Sequence, residues 1–524
     1  MKQHRLVFFT AGLLFLLGWS SPVWAFHTWK RGQLPNGLTL LVVEKPGAPV
    51  VSVTLLVKRG ATSEPAEKRG VGSLTVHLLT AGTRHQFGDQ IAERMATLGG
   101  EFEQEVSFDF TTIDWAVLKE DLAPALEVLA DVVQHPIFPP AEFERERTAR
   151  IAEQQAKRED TPEDLPVRHW FGTGPYGLPI AGEVASLERI VREDVVRFHC
   201  QAYHPEATIL AAAGDLTMED LTALARKYFG NWSVSDKAEE AVPSLSAKRE
   251  PATLVVNRPL VQASVRLAFV GAPAASPDTP ALMLLSQLLA GSAESRLGQK
   301  LREQKGWTYG VRSEVESFRQ TGLFFIDMSV PYNVLLPALE ETLREIARIQ
   351  TAPVLASELE RAKQEFAVRF YFKTDSVQNL SRFVAMQAAS TQGQESPERT
   401  LAALRSVTAE EVQRVARTYL DPHGVVVTVV GDAQALEKSA IQDLARHSLA
   451  GGGRRCHGCR GASATRVQRP GPANCHRSLC CAPIAPSRSP PQRTAGTEPG
   501  RGHAGSAGRG AGALCRSLRI LPRE

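Results

Sequence analysis

The sequence predicts an α+β protein made of two tandem, similar repeats, and three observations carry that reading. Two distant stretches resemble each other without a gap. Within each half, strand-like apolar runs alternate with long amphipathic helical patterns. Between the halves lies a polar segment with no apolar period.

The similar stretches are EDVVRFHCQAYHPEATILAAAGD (Glu193 to Asp215) and EEVQRVARTYLDPHGVVVTVVGD (Glu410 to Asp432), offset by 432 − 215 = 217 residues. Each gives an amphipathic helix, a proline (Pro205, Pro422) that ends it, a β-rich apolar run and a Gly-Asp stop. Self-similarity of this length points to a duplicated domain. The segment SVSDKAEEAVPSLSAKREPA (Ser233 to Ala252) reads as the linker.

The expected organisation is residues 1–25 as a signal peptide, 26–232 and 253–450 as the two α+β domains, 233–252 as the linker and 451–524 as a tail. In the first domain Leu38–Glu44 and Val50–Lys58 read as strands, the former introduced by the turn former Pro35-Asn36-Gly37. Asp89–Leu98 reads as a helix stopped by Gly99-Gly100. Leu122–Gln134 and Pro140–Arg158 read as further helices, the second started by Pro139-Pro140.

Composition sets limits on function. At 524 residues, 43% hydrophobic and 22% charged, the chain has ample material for large globular cores. Its net charge of +3 hides an asymmetry: residues 451–524 hold 13 Arg, no Lys and 2 Glu, a net of +11, leaving 3 − 11 = −8 for the rest. An acidic body is not one that seeks nucleic acid.

Lys2 and Arg5 precede an uncharged apolar run, Leu6 to Trp19, which Ser20-Ser21-Pro22 breaks before Val23-Trp24-Ala25. This is the pattern of a secretory signal cut after Ala25, with an uncleaved anchor as the alternative. The run is short for a membrane span. The expected location is the periplasm or another exported compartment, with no membrane association once the signal is removed.

Cys200 is the single cysteine of the body, so the body closes no disulfide within itself; six more crowd into the tail. The tail is rich in Arg, Gly, Pro and Ala and has no apolar period. It reads as a disordered extension or as the out-of-frame translation of a GC-rich gene, and its CHGC at Cys456–Cys459 lacks the second half a zinc knuckle requires.

The stretch RGVGSLTVHLLTAGT, Arg69 to Thr83, resembles the signature helix of the inverted zinc peptidases, the insulinase, pitrilysin and mitochondrial processing peptidase family. That motif is H-x-x-E-H. Two His at i and i+4 share a helical face and hold one zinc, while the Glu takes a proton from the zinc-bound water. Here Gly70, Val71, Gly72, Leu78, Leu79, Gly82 and Thr83 fit the frame, but Ser73 stands in the first His slot and Val76 in the Glu slot. Only His77 remains. Its alternatives are a relic ligand and an imidazole bonded within the protein.

The later stretch ERERTARIAEQQAKREDTP resembles the family's third-ligand helix, with Glu153 in the ligand slot, Glu146 in the accessory slot and Asp160 before Pro162. The same acids, set among Arg145, Arg147 and Arg150, also suit solvated i,i+4 pairs.

The second half contains SRLGQKLREQKGWTYGV, Ser295 to Val311, which resembles the family's Arg…Tyr segment; Arg302 and Tyr309 have its spacing. The resemblance implies that both reach across an internal chamber toward bound peptide. An Arg offers planar donors to a carbonyl, and a phenol can steady an oxyanion. The plainer alternative has Arg302 capping a helix and Tyr309 packed in a strand. In GGEFEQEVSFDFTT, Gly99 to Thr112, the sequence departs again, with Glu103-Gln104 where the family has Asn-Ala on a substrate-binding edge strand.

The resemblance implies two repeats of the processing-peptidase fold forming a clamshell half-chamber. It also implies a function: a zinc-free subunit, inactive alone, that completes a peptidase chamber with a zinc-bearing homologous subunit and acts on unfolded peptides. No cofactor or metal is expected in this chain, and zinc is expected in the partner. The rival expectation is a non-enzymatic peptide-binding or scaffold protein of the same fold.

Overall fold

The computed structural model describes residues 29–156, 164–233, 245, 250–390 and 397–438. The signal segment, most of the linker, Asp160 with Pro162, and the tail lie outside them.

The first half builds a sheet of six strands: β1 (Trp29–Gln33), β2 (Thr39–Glu44), β3 (Val50–Val57), β4 (Glu101–Val106), β5 (Thr111–Leu118) and β6 (Thr208–Gly214). Their order is β1-β2-β6-β3-β5-β4, with β2 and β6 parallel and the other pairs antiparallel. Helices α1 (Val71–Leu78), α2 (Gly88–Leu98), α3 (Leu122–Gln134), α4 (Pro140–Ala156), α5 (Asp164–Phe171), α6 (Val184–Arg189), α7 (Arg192–Ala202) and α8 (Met218–Phe229) accompany it.

The second half repeats the plan. Strands β7 (Ala252–Asn257), β8 (Ala263–Gly271), β9 (Val311–Ser317), β10 (Gly322–Val330) and β11 (Val426–Gly431) order as β7-β11-β8-β10-β9, with β7 and β11 parallel. Dropping β1, each strand has its counterpart in the first sheet. The helices are α9 (Thr279–Ala290), α10 (Leu335–Thr351), α11 (Ala356–Lys373), α12 (Val377–Ser390), α13 (Pro397–Ser406), α14 (Ala409–Tyr419) and α15 (Ala433–Lys438). The duplication is visible in α7 and α14, whose limits differ by 409 − 192 = 217 and 419 − 202 = 217.

The central strands of both sheets are covered on both faces, which is why they read as continuous apolar runs. Along β2, Leu40 and Val42 enter a core shared with α1, α3, α7 and α8, while Leu41 and Val43 face the other way. That other face is closed by Leu380, Val384, Ala385 and Ala388 of α12, a helix from the second half. The exchange is mutual: Val167, Trp170 and Phe171 of α5, from the first half, close the face of the second sheet formed by Ala268, Val270, Leu323, Phe325 and Val426. Beneath α12 a polar knot joins the halves, since the Ser381 hydroxyl lies 3.0 Å from both Ser52 Oγ and Thr54 Oγ1. Cys200, the one cysteine among the described residues, is disulfide-bonded, which the body's lone cysteine did not predict.

Edge strands β4 and β9 alternate exposed and half-buried residues, as strands lying over a core on one face should. In β4, Arg382 of α12 pairs with Glu105 and with Asp114 of β5 at 3.2 Å, tying that edge to the second half.

Candidate functional site

Helix α1 starts where the chain turns through Gly70 at φ +101, a left-handed conformation that glycine adopts without a Cβ penalty. Its N-terminal amides, which lack partners within the helix, are capped from outside it. Glu64 accepts the N–H of Gly70 at 2.6 Å and that of Gly72 at 3.0 Å, so a carboxyl sits at the positive end of the helix. A Cβ at Gly72 would lie 2.5 Å from the Glu64 carboxyl, which explains the second glycine of the frame. Glu64 is buried, and burial pushes its carboxyl up to about 7 against the opposing pull of Arg69 and the two amides. Burial likewise lowers the Arg69 guanidinium, which donates to the Pro175 carbonyl at 2.8 Å.

On this frame the chemical slots are filled by packing residues. Val76 is fully buried and belongs to the main core of the first half, and Ser73 is also buried. His77 is half-buried, and its Nδ1–H donates to the Ser73 carbonyl at 2.8 Å, one turn back on its own helix. On α4, Arg150 engages both acids: its Nε lies 2.9 Å from Glu146 Oε1, and its Nη1 lies 3.4 Å from Glu153 Oε2. A hydroxyl, an isopropyl group and one imidazole, with acids tied to a guanidinium, do not fit a zinc ion, which takes three protein donors plus water or four donors. Gln104 on β4 has its side-chain nitrogen buried with no hydrogen-bond partner in the structure.

The Arg/Tyr segment has the opposite character. Arg302 lies in a π-helical turn, Gly298–Gln304, and its side chain is 51% exposed beside Glu303 at 3.4 Å. Gly306 reverses the chain at φ +60, and its N–H bonds back to the Arg302 carbonyl at 3.0 Å. The following loop is pinned from beneath. Thr308 Oγ1 bonds the carbonyls of Gly310 and Ser329, each at 2.8 Å, and Lys305 stacks on Trp307 at 4.6 Å. Tyr309 stands out of this loop 90% exposed, so it is not packed in a strand. Beside it a cleft of about 390 Å³ opens, lined by Gly310, Arg312, Arg266 and Asp327, the last two joined by a two-point ion pair at 2.7 and 2.9 Å.

The family model described as insulinase (peptidase family M16) matches residues 39–182, and the one described as peptidase M16 inactive domain matches residues 189–366. An uncharacterized zinc protease of Mycobacterium tuberculosis is 30% identical over 421 residues, covering 75% of this chain and 93% of that protein. The chain belongs to the insulinase family, peptidase family M16.

Further relatives and solved structures resemble the chain. An uncharacterized zinc protease of Rickettsia felis is 26% identical over 389 residues, covering 73% of this chain and 93% of its own length. A protease from Helicobacter pylori superposes with a TM-score of 0.71 at 20% identity, across 77% of this chain and all of that one (100%). A peptidase M16 inactive domain from Pseudomonas fluorescens gives 0.70 at 22% identity, across 78% and 98%. At these identities the structural likeness speaks to fold. On its capped helix this chain carries Ser73, Val76 and His77. Its Arg302 and Tyr309 fall inside the segment matched by the inactive-domain model.

One grouping left almost no trace in the sequence. His85, Asp131 and His135 bring three metal-type donor atoms within 4.8 Å of one another, the one such cluster among the described residues. The Asp131-x-x-x-His135 spacing at the end of α3 was its only local signal.

Proposed function

We propose that this chain is the zinc-free subunit of a two-subunit, exported insulinase-type peptidase. In this reading it lends Arg302 and Tyr309 to a cleavage centre on a zinc-bearing homologous subunit. The observation that carries the reading is the contrast between the buried Ser73 and Val76 slots on α1, which lack an imidazole and a carboxylate, and a phenol held 90% exposed on a braced loop. An exposed tyrosine on a rigid support contributes nothing to the core, and its placement suits a role toward a bound molecule. The guanidinium of Arg302 would donate to a peptide carbonyl, and the Tyr309 hydroxyl would donate to the oxygen that gains charge during attack. Edge strand β4, paired on one side to β5, supports peptide binding by strand addition. Export rests on the pattern of residues 1–25, outside the described residues.

The test is to co-express this chain with an exported homologue carrying an intact H-x-x-E-H, purify through a tag on this chain, and assay peptide cleavage. Cleavage is expected from the pair and from neither subunit alone. Arg302→Ala and Tyr309→Phe should each lower kcat by about 10²-fold or more while the pair still co-purifies. Full activity in both variants would remove the role proposed for these residues. Binding of peptide without cleavage by the pair would favour the scaffold reading.

A further inference from the structure

We infer that His85, Asp131 and His135 form a binding site for a divalent transition ion of the zinc type, separate from α1 and its lost motif. The donors converge from two elements. Asp131 and His135 sit one turn apart on α3, with His135 at its C-terminal cap, and His85 comes from the loop between α1 and α2. The Nδ1 atoms of His85 and His135 lie 2.5 and 3.2 Å from the same carboxylate oxygen, Asp131 Oδ1, and the rings meet edge to face at 4.9 Å. A tetrahedral zinc with bonds of about 2.0–2.2 Å separates its donors by about 3.4 Å. The two contacts to Asp131 are hydrogen-bond spacings shorter than that value, and all three donor atoms lie within 4.8 Å of one another, so an ion would enter by spreading the donors through side-chain shifts of about an ångström.

The surroundings are those of a prepared site. The second oxygen of Asp131 is held by Thr83 Oγ1 at 2.6 Å and by Gln86 Nε2 at 3.2 Å, and Arg94 in turn holds Gln86 at 3.1 Å. Such outer contacts fix a ligating carboxylate in place. The His85 loop is tied to the end of α3 by backbone bonds from Arg84 N to His135 O and from Ile137 N to Gly82 O, both 3.0 Å.

Access is from the His85 side. Side-chain exposure falls from 61% at His85 through 37% at His135 to 11% at Asp131. A cleft of about 500 Å³ lined by His85, Gln90, Arg94 and Leu98 leads to the cluster. Two imidazoles and one carboxylate supply three protein donors, and the open side leaves a fourth position for water. Nitrogen-rich donors favour zinc, nickel, copper or cobalt over magnesium and calcium.

The experiment uses the full-length chain with its free thiols alkylated, so that the tail cysteines cannot compete for metal. Zinc is titrated in against a chromophoric chelator, and cobalt serves as a spectroscopic substitute. One equivalent should bind, with visible cobalt bands and no thiolate-to-cobalt charge transfer. His85→Gln, a change at a largely exposed side chain, should weaken binding at least tenfold, as should His135→Gln, while His77→Gln should leave it unchanged. Zinc should also raise the Tm of the unsubstituted chain and not that of His85→Gln. Absence of a bound equivalent, or equal affinity and equal Tm rise in His85→Gln, would overturn the assignment. Loss of binding in His77→Gln alone would place the ion on α1 instead and overturn it equally.

Discussion

Replacing Glu64 by Gln should change how stability depends on pH, in a direction set by burial. A carboxyl moved from the ordinary 4.5 to about 7 binds its proton more tightly when folded than when unfolded. Its contribution is therefore fully present below 4.5 and drains away as pH rises through about 7. Each tenfold difference in proton affinity between the folded and unfolded chain is worth about 1.4 kcal/mol. On that scale the unsubstituted chain should lose about 2–3 kcal/mol between about pH 5 and about pH 8 through this group.

Glutamine keeps one acceptor for the α1 amides but cannot ionise. The variant is therefore expected to start less stable at acidic pH and to gain about 2–3 kcal/mol on the unsubstituted chain across that interval. Urea unfolding of both proteins over the range, compared as a difference, isolates Glu64 from every other titrating group. A flat difference, or one with the opposite slope, would refute the reasoning. The amides of Gly70 and Gly72, with Arg69, would then be strong enough to keep the carboxylate charged in the core.

Other predictions follow from single contacts. Ser381→Ala strips the hydroxyl that lies against Ser52 and Thr54 in a fully buried setting. Thr54 keeps Asp114 at 2.6 Å and Ser52 loses this partner, so urea unfolding should show a loss of about 1–3 kcal/mol. Gly100→Ala forces a Cβ to within 1.8 Å of the Ala116 carbonyl at φ +79, so in the same assay it should cost clearly more than Gly47→Ala. The latter residue, at φ +82 with open space around it, bears only the left-handed penalty of about 1–2 kcal/mol.

Much of the fold was legible because its signals are local. The helix Leu122–Gln134 appears with the limits its apolar period and flanking residues suggest, and Asp89–Leu98 starts one residue earlier, at Gly88. The gap-free repeat foretold that α7 and α14 would correspond residue for residue. What stayed hidden depends on partners distant in the chain. Nothing in the amphipathicity of Val377–Ser390 says that it covers the other half's sheet rather than its own, because burial patterns specify a face and not what meets it.

The site divided along the same line. The missing imidazole and carboxylate at Ser73 and Val76 are read directly, whereas the placement of Tyr309 outside the core required the structure. The Glu146–Arg150 pair is the i,i+4 alternative visible in the sequence, and Glu153 meets the same Arg150 at i,i+3. His85 and Asp131 are 46 positions apart, beyond any periodic signal.

The mutual loan of α5 and α12 bears on how such a protein can be cut apart. A fragment ending at the linker would carry Trp170 and Phe171 with no sheet to cover, and its own sheet would show Leu41, Val43 and Leu56 to water. The complementary fragment would be bare at Phe325 and Leu323. Each piece holds the other's lid, so the two should be sticky when made separately and should reassemble when made together.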